Sequence, residues 1–475
     1  MLMNQKNIVT LLIPMIVSLL TVSGCKKLVE VGNPETKLIA EKVFEDGTTA
    51  TSAQLAIYAQ MVSNGESFKI SQQCGLLADE LKNYSRITSQ IQFYTNSLNA
   101  TTTFGIWTNA YNYIYQANAI VQALQANNPL TESIKKQLIG ESEFIRAFWY
   151  FYLVNLYGDV PLTTSTDYSK NSQLARSGAN VVYHQIVSDL LDARIKLNTN
   201  YVDVNDTTTT TERIRPTRWA ASALLARTYL YMKRYDSADF YASEVINNAE
   251  LFEILPSLDD VFLANSREAI WQLGIPTPNS ANTPDGRGFI LTSAPATGTS
   301  RSTTISEQLD SAFEDGDSRQ SNWISNITRS SGTYYFPFKY KVSLSTDITE
   351  YVMVLRLAEQ YLIRAEARTQ EGNTSDGLKD LNIIRRRANL DDYTGPTDQS
   401  TVIDAILHER QVELFAEWGH RWLDLIRTTK VGAVLGAPGN ICQWKGGLWS
   451  QNWIVFPIPQ TERTADPNLG QNTGY

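Results

Sequence analysis

The sequence predicts a mostly α protein, and three observations carry that expectation. Apolar residues recur at spacings of three and four along several stretches, strand-like alternation is scarce and short, and one helical-hairpin pattern occurs twice. The expected architecture is a set of packed helix pairs with long irregular loops and a few short strands.

Helical periodicity starts near Thr48. Ile106, Ala110, Tyr113, Ala117 and Ile120 form one apolar stripe; Phe144, Ala147, Phe151 and Val154 form a second; Val354, Ala358, Tyr361 and Ala365 form a third. Ala226, Tyr229, Ala238, Ala242 and Val245 stand at offsets 0, 3, 12, 16 and 19, with a turn expected at Lys233 to Asp236. That is tetratricopeptide spacing: the small residues let two helices approach, and Tyr229 is expected to fill the groove between them. The same offsets fall on Ala365, Arg368, Gly377, Leu381 and Ile384, around the turn Glu371-Gly372-Asn373.

Between the periodic blocks lie Ser71 to Thr103, Thr163 to Asn180, Pro276 to Thr304, Asp315 to Thr349 and Gly432 to Asn452, with short aromatic and β-branched clusters at Tyr334 to Tyr340 and Trp453 to Ile458. Long irregular loops often carry function. An aromatic in such a loop is either a ligand platform or a plug that pins the loop to the scaffold. The loops hold Tyr84, Phe93, Tyr94, Phe289, Trp323, Tyr334, Tyr335, Trp444 and Trp449.

Charge narrows the function classes. Lys plus Arg number 41 and Asp plus Glu 49 in 475 residues, a net charge of -8, so no basic field exists to hold nucleic acid. Arg385, Arg386 and Arg387 sit beside Asp380, Asp391 and Asp392 and read as a solvated or ion-paired face rather than a phosphate tract. Other charges interrupt apolar helices: Glu141 and Arg146; Arg356, Glu359, Arg364 and Glu366; Glu409, Arg410, Glu413, Arg421, Asp424 and Arg427. Burying a lone charge costs several kcal/mol, so these residues are expected to form structural ion pairs.

Catalytic motifs are missing. There are 3 histidines, and His408-Glu409 opens like a zinc-protease helix but has Val412 where the second histidine belongs. There is no Gly-x-Ser-x-Gly elbow or phosphate loop, and Gly286-Arg287-Gly288 lacks the third glycine of a dinucleotide motif. Asp315-Gly316-Asp317 reads as a solvated turn, because the ligand series of a calcium loop does not continue. No metal and no cofactor are expected. Two carboxylates suffice for glycoside hydrolysis, so a lipid-anchored glycosidase stays open on the residues alone.

At the N-terminus, Lys6 precedes an uncharged stretch from Ile8 to Gly24 that contains Pro14 and ends Val22-Ser23-Gly24-Cys25. It is too short for a spanning helix and reads as a signal peptide. A small residue directly before a cysteine resembles the bacterial lipobox, which makes Cys25 the expected lipid anchor. Each buried acyl methylene contributes about 0.8 kcal/mol, so several chains hold a protein at a membrane. Cys74 and Cys442 are expected to be separate buried thiols. The expected organisation is a signal peptide over 1–24, anchor and tether over 25–47, and helical regions over 48–270 and 271–475 that form one compact unit.

These residues fall into a recognisable order. Val43-Phe44, Ala56-Ile57-Tyr58, Asp79-Glu80, Trp107 with Tyr111, Gly140-Glu141 with Arg146-Ala147, and Tyr157-Gly158-Asp159-Val160-Pro161 mark the first half. Leu355-Arg356-Leu357-Ala358-Glu359, Arg364-Ala365-Glu366-Ala367, Glu409-Arg410, Arg421-Trp422, Asp424-Leu425-Ile426-Arg427, Phe456-Pro457-Ile458-Pro459 and Gln471-Asn472 mark the second. With the lipobox, they resemble the SusD/RagB family of Bacteroidetes outer-membrane lipoproteins over nearly the whole chain. Two features depart from the family pattern: Trp418 intervenes between Glu417 and Gly419, and Lys26-Lys27-Leu28-Val29-Glu30 lacks the acidic run of the stronger surface-export signals.

The resemblance implies a right-handed superhelix of tetratricopeptide-like helix pairs. It implies a non-catalytic protein, anchored in the outer membrane and facing outward, that caps a SusC-type TonB-dependent barrel transporter. The cargo would be oligomeric nutrients, usually glycans and in some members peptides. A scaffold without a small ligand is the third reading. Ligand sites do not transfer by motif in this family, so the candidate site rests on chemistry. Sugars present apolar C–H faces ringed by hydroxyls and suit flat aromatic platforms with polar edges, and the chain has Trp 10 and Tyr 23. Tyr84, Phe93, Tyr94, Phe289, Trp323, Tyr334 and Tyr335 are the candidate ligand-binding residues, expected to line one exposed face.

Overall fold

Helices with apolar stripes must bury them against one another, and in the computed structural model of the protein they do so around one long central helix. The structure describes residues 40–102, 104–126, 129–203, 208–276 and 282–475. Cys25, the expected signal peptide and the tether as far as residue 39 lie outside the described residues. Phe44–Tyr475 is one compact unit, and a short helix, Ala40–Val43, belongs to the segment before it.

In chain order the unit opens with helices α1 (Gly47–Ser63) and α2 (Glu66–Leu77), strand β1 (Leu81–Asn83) and helix α3 (Thr88–Tyr94). Helices α4 (Ile106–Gln125), α5 (Glu132–Tyr157), α6 (Ala179–Lys196), α7 (Arg218–Tyr231) and α8 (Tyr235–Ile246) follow, then β2 (Ala269–Leu273), β3 (Thr303–Ile305), β4 (Ile324–Arg329), β5 (Gly332–Pro337) and β6 (Val352–Arg356). Helices α9 (Leu357–Gln370), α10 (Thr374–Arg387), α11 (Gln399–Leu414) and α12 (His420–Arg427) complete the scaffold. The strands form three antiparallel pairs, β1 with β3, β2 with β6 and β4 with β5. The protein is mostly α, as expected.

Helix α5 is the axis. Thr131 caps its start, and between Gln137 and Tyr157 every residue except Asn155 is buried. Burying a large apolar side chain contributes about 1.5–3 kcal/mol, so this helix is a large share of the core. Helices α4 and α6 pack along it, followed by the hairpins α7–α8 and α9–α10, with α11 against α9. Both hairpins sit on the repeated pattern: Ala226, Ala238, Ala242 and Val245 are fully buried in the first, and Ala365, Leu381 and Ile384 in the second. At Gly377 a Cβ would stand 2.2 Å from Thr369 Oγ1 and 2.7 Å from the Ala365 carbonyl, so that helix crossing requires glycine.

Three expectations are corrected. Tyr229 does not fill the groove of its hairpin: it is half-buried and stacks on Tyr241 with ring centroids 5.6 Å apart and planes 5° apart. Val354 belongs to strand β6, because the helix begins at Leu357. The stretch from Ser71 is not loop as far as Leu77: α2 buries Ser71, Gln72, Cys74, Gly75, Leu76 and Leu77, and a helix covered nearly all round leaves no amphipathic period.

The interior charges pair as their positions predict. Glu141 meets Arg215 at 2.6 Å, Arg146 meets Asp189 at 2.6 Å, Arg227 meets Glu359 at 2.6 Å, Arg364 meets Asp380 at 2.6 Å, and Arg427 meets Glu366 at 2.6 Å. The densest cluster surrounds Glu413. Its carboxylate contacts Arg319 at 2.9 Å, Arg356 at 2.6 Å and also Arg387, while Arg319 reaches Asp317 and Glu409, and Arg356 reaches Glu268 and Glu417. Burial alone would raise the Glu413 carboxyl; Arg387, Arg356 and Arg319 outweigh it and hold the group well below the ordinary carboxylate range. The expectation of a solvated turn at Asp315-Gly316-Asp317 holds for the exposed Asp315 and Gly316 but not for Asp317, which is buried because it pairs with Arg319. Cys74 and Cys442 are free, buried thiols. Among the described residues no helix is long and apolar enough to cross a membrane.

Glu413→Gln should lower stability by about 3–5 kcal/mol, since it leaves buried guanidinium groups without their counter-charge. Urea denaturation followed by circular dichroism measures this; a loss under about 1 kcal/mol would show that the cluster is not a stabilising hub.

Candidate functional site

The candidate site is assembled by short β-pairing at the edge of the helical scaffold. Strand β1 pairs Leu81, Lys82 and Asn83 with Ile305, Thr304 and Thr303 of β3, and the Tyr84 amide extends the ladder by donating to the Ser302 carbonyl at 2.8 Å. Strand β3 lies beside β5 of the β4–β5 hairpin. That contact brings the rings of Tyr84 and Tyr334 together edge to face, centroids 5.6 Å apart. The next helix, α3, ends at Tyr94, which is half-buried. Its phenol is raised by burial first and then by neighbouring Tyr84 and Glu307. Tyr84, Tyr94 and Tyr334, each half-buried, are thus neighbours and form the candidate face.

The other four candidates go elsewhere. Trp323 is 0% exposed: its indole N–H donates to the Leu258 carbonyl at 3.0 Å, and Lys339 Nζ lies 4.7 Å from its ring centroid. It is a plug. Phe289 is buried edge-on to Phe68, centroids 4.9 Å apart, and Phe93 is buried between Phe104 and Phe456 at 5.2 and 5.7 Å. Tyr335 is 46% exposed but follows Tyr334 on a strand, so it points to the opposite face of the hairpin, beside Asn326. The expectation of one seven-residue face fails because alternation along β5 separates neighbours and because apolar rings without a polar edge sink into the core.

A mostly apolar hollow adjoins α3. Phe93, Phe104, Trp107, Tyr157 and Phe456 line a cleft of about 480 Å³. Phe93 points into it, whereas Tyr94 is turned about 100° around the same helix. The rim hydroxyls are spoken for, Thr102 Oγ1 donating to Gln92 at 2.8 Å and Thr101 Oγ1 to Asn99 at 2.7 Å. A polyhydroxylated ligand needs polar partners beside its stacking rings; on the tyrosine face the Tyr334 hydroxyl donates to Ser331 Oγ at 3.0 Å and can still accept, so that face suits the chemistry better than the apolar cleft.

Two features beside the face escaped sequence reasoning. Lys445 is half-buried and donates to three carbonyls at the end of α2, those of Leu76, Leu77 and Ala78, at 2.7, 2.9 and 3.0 Å, while its Nζ lies 5.5 Å from the Tyr94 ring centroid. It bonds orphan C-terminal carbonyls of that helix. The available signal was a lysine followed by Gly446-Gly447 in an aperiodic loop, but nothing in the sequence identifies its acceptor. Glu80, just before β1, is the second. Burial first, then Asp79, pushes its carboxyl up to about 8, and one of its oxygens has no hydrogen-bond partner. Among the described residues no group of three or more His, Cys, Asp or Glu side chains is placed to hold a metal ion.

The matches to known proteins agree with this architecture. Residues 274–475 match the model of the SusD family, and residues 41–230 match a family described as starch-binding associating with outer membrane. SusD-like protein P38 of Formosa agariphila is 25% identical over 528 aligned residues, covering 99% of both chains. The starch-binding protein SusD of Bacteroides thetaiotaomicron is 30% identical over 144 residues, 29% of this chain and 23% of that one. Among solved structures, a SusD superfamily protein from Bacteroides vulgatus superposes with a TM-score of 0.76 at 22% identity, covering 91% of this chain and 100% of that one. A laminarin binding SusD-like protein gives 0.74 at 23% identity, with 91% and 100% covered. The fold and the two adjoining family matches define a helical-repeat protein of the SusD type. The chain belongs to the SusD/RagB family.

Two outcomes follow from the buried groups. Trp323→Ala should cost about 3–5 kcal/mol of stability, as large-to-small core changes do, and lower ligand affinity only as far as the β4–β5 hairpin loses its place. A binding defect at full stability would return Trp323 to the site. For Glu80 the folded carboxyl at about 8 stands above its ordinary value of 4.5, so the folded state holds more protons than the unfolded one between those values. Stability from this group is present below about pH 4.5 and is lost as pH rises through about 8. Glu80→Gln should therefore flatten the fall in melting free energy across that window by up to about 1.4 kcal/mol per pH unit; unchanged slopes would mean the carboxyl titrates normally.

Proposed function

We propose that the chain is a lipid-anchored outer-membrane protein that holds an oligomeric glycan on the Tyr84, Tyr94 and Tyr334 face. It passes the glycan, chemically unaltered, to a SusC-type TonB-dependent barrel. The observation that carries this reading is the face itself: three half-buried tyrosines from separate elements held close together at the edge of a rigid scaffold. The names of relatives support the cargo class, since they include a starch-binding protein and a laminarin binding protein. The description of the family matched by residues 41–230 supports the location. The anchor would be Cys25, through its lipobox.

Binding chemistry agrees with this cargo. An aromatic ring stacks on the apolar face of a pyranose while its hydroxyl reaches the sugar's edge. Flat, preorganised tyrosines also lose little conformational entropy on binding. Calorimetry of the chain from Lys26 to Tyr475 with laminari- and malto-oligosaccharides tests the proposal. Tyr84→Ala and Tyr334→Ala should each weaken the saccharide that binds by about threefold to tenfold, as expected for losing about 0.5–1.5 kcal/mol of ring contact. Chromatography of the recovered sugar should show no shortened product. Cleavage would indicate a hydrolase, and binding of peptides with no saccharide bound would indicate the peptide-carrying branch of the family.

A further inference from the structure

A further exposed aromatic ring stands on a different loop, one that lies against the end of α3. Trp444 ends the short helix Ile441–Trp444 and is 67% exposed, whereas Ile441 and Cys442 on the same helix are buried. Tryptophan is usually highly buried, so a ring held this far out is unusual for an apolar side chain. Its mount is rigid. Lys445, the next residue, is tied to the three α2 carbonyls, and Gly446 turns the chain at φ 82°. Gly447 lies so close to α3 that a Cβ would come 1.9 Å from the Thr95 carbonyl oxygen. The neighbouring Gln443 is exposed, and its side-chain amide has no hydrogen-bond partner among the described residues.

The mount also fixes where the ring sits. Lys445 Nζ lies 5.5 Å from the Tyr94 ring centroid, Tyr94 neighbours Tyr84, and Tyr84 meets Tyr334 at 5.6 Å. Consecutive Cα atoms are about 3.8 Å apart, and Gly447 lies against Thr95, so the backbone that carries Trp444 lies near the end of α3 that carries Tyr94. We infer that Trp444 is an outer stacking subsite for the same ligand, which makes the preferred cargo a long oligosaccharide reaching from the Tyr84 and Tyr334 pair past Tyr94 to the indole. This rests on the glycan-binding reading above. An indole face beside a free amide is the pairing a pyranose takes, apolar face to ring and hydroxyl to amide.

The test compares two chain lengths. Calorimetry of the Lys26 to Tyr475 chain with laminaritriose and laminarihexaose, and with maltotriose and maltohexaose, is repeated for Trp444→Ala and for Tyr334→Ala. Trp444→Ala should weaken the hexasaccharide at least fivefold and leave the trisaccharide unchanged, while Tyr334→Ala weakens both. The replaced ring is exposed, so thermal melting should be unaltered. Unchanged hexasaccharide affinity in Trp444→Ala, with Tyr334→Ala still defective, overturns the outer subsite and keeps the glycan-binding reading. Equal losses for both lengths would overturn it by placing Trp444 in the primary site. Loss of barrel capture with sugar binding intact would overturn it in favour of a protein contact. If the unaltered chain binds no saccharide of either length, the subsite and the functional reading fall together.

Discussion

Neutralising charge in the absence of water is the constraint on which the rest of this structure depends. Arg319, Arg356 and Arg387 are nearly inaccessible to solvent, and each finds its counter-charge through Glu413 together with Glu268, Glu409, Glu417 or Asp317. These residues come from the start of β2, the junction of β6 and α9, the end of α10, the end of α11 and the turn before β4. A partly assembled hub would strand a buried guanidinium, at a cost of several kcal/mol. The segments are therefore locked in one relative arrangement, which packing of similar apolar helices alone would leave less sharply defined.

That arrangement reaches the tyrosine face through Trp323. Its ring lies against the cations of the hub, 4.7 Å from Lys339 Nζ, 5.3 Å from the Arg387 guanidinium and 5.8 Å from that of Arg356. Trp323 immediately precedes β4, so pinning it sets where the β4–β5 hairpin leaves the scaffold. The antiparallel register then places Tyr334 opposite Ile327, and the contact of β5 with β3 carries Tyr334 to Tyr84. The residue that looked from sequence like a ligand platform instead positions the hairpin that carries Tyr334.

What could be read without coordinates divides along physical lines. The stripes of α4 and α5, the two alanine-rich hairpins and the pairing of Glu141, Arg146, Glu359 and Arg427 were legible, because helical period and desolvation cost act locally or force a partner of some kind. The identity of that partner was not: Glu413 meets Arg387 within the C-terminal helices, whereas Arg227 meets Glu359 across a long separation in the chain. Helix α2 was missed because it is buried nearly all round, and Val354 was assigned to a helix because a short apolar run fits either period. In the site, Tyr84, Tyr94 and Tyr334 were among the candidates. Tyr335 was grouped with its neighbour although strand alternation turns it away, and nothing in a lone aromatic distinguishes Trp323 as a plug from Trp444 as an exposed ring.

The contrast between those two tryptophans bears on how a shallow surface can hold a flexible chain. An oligosaccharide lying across a protein gives up torsional freedom at each linkage, so little binding energy survives if the protein must also order its own loops. Here the ordering is done in folding. Trp323 is immobilised by the ion hub and holds the hairpin; Lys445 is immobilised by helix carbonyls and holds the Trp444 loop; Gly447 lets that loop lie directly on α3. Each exposed ring is thus one step from an anchored side chain rather than at the end of a free loop. A flat site of the kind proposed needs no enclosing pocket, which leaves the apolar cleft beside Phe93 to the packing of α3 and α4.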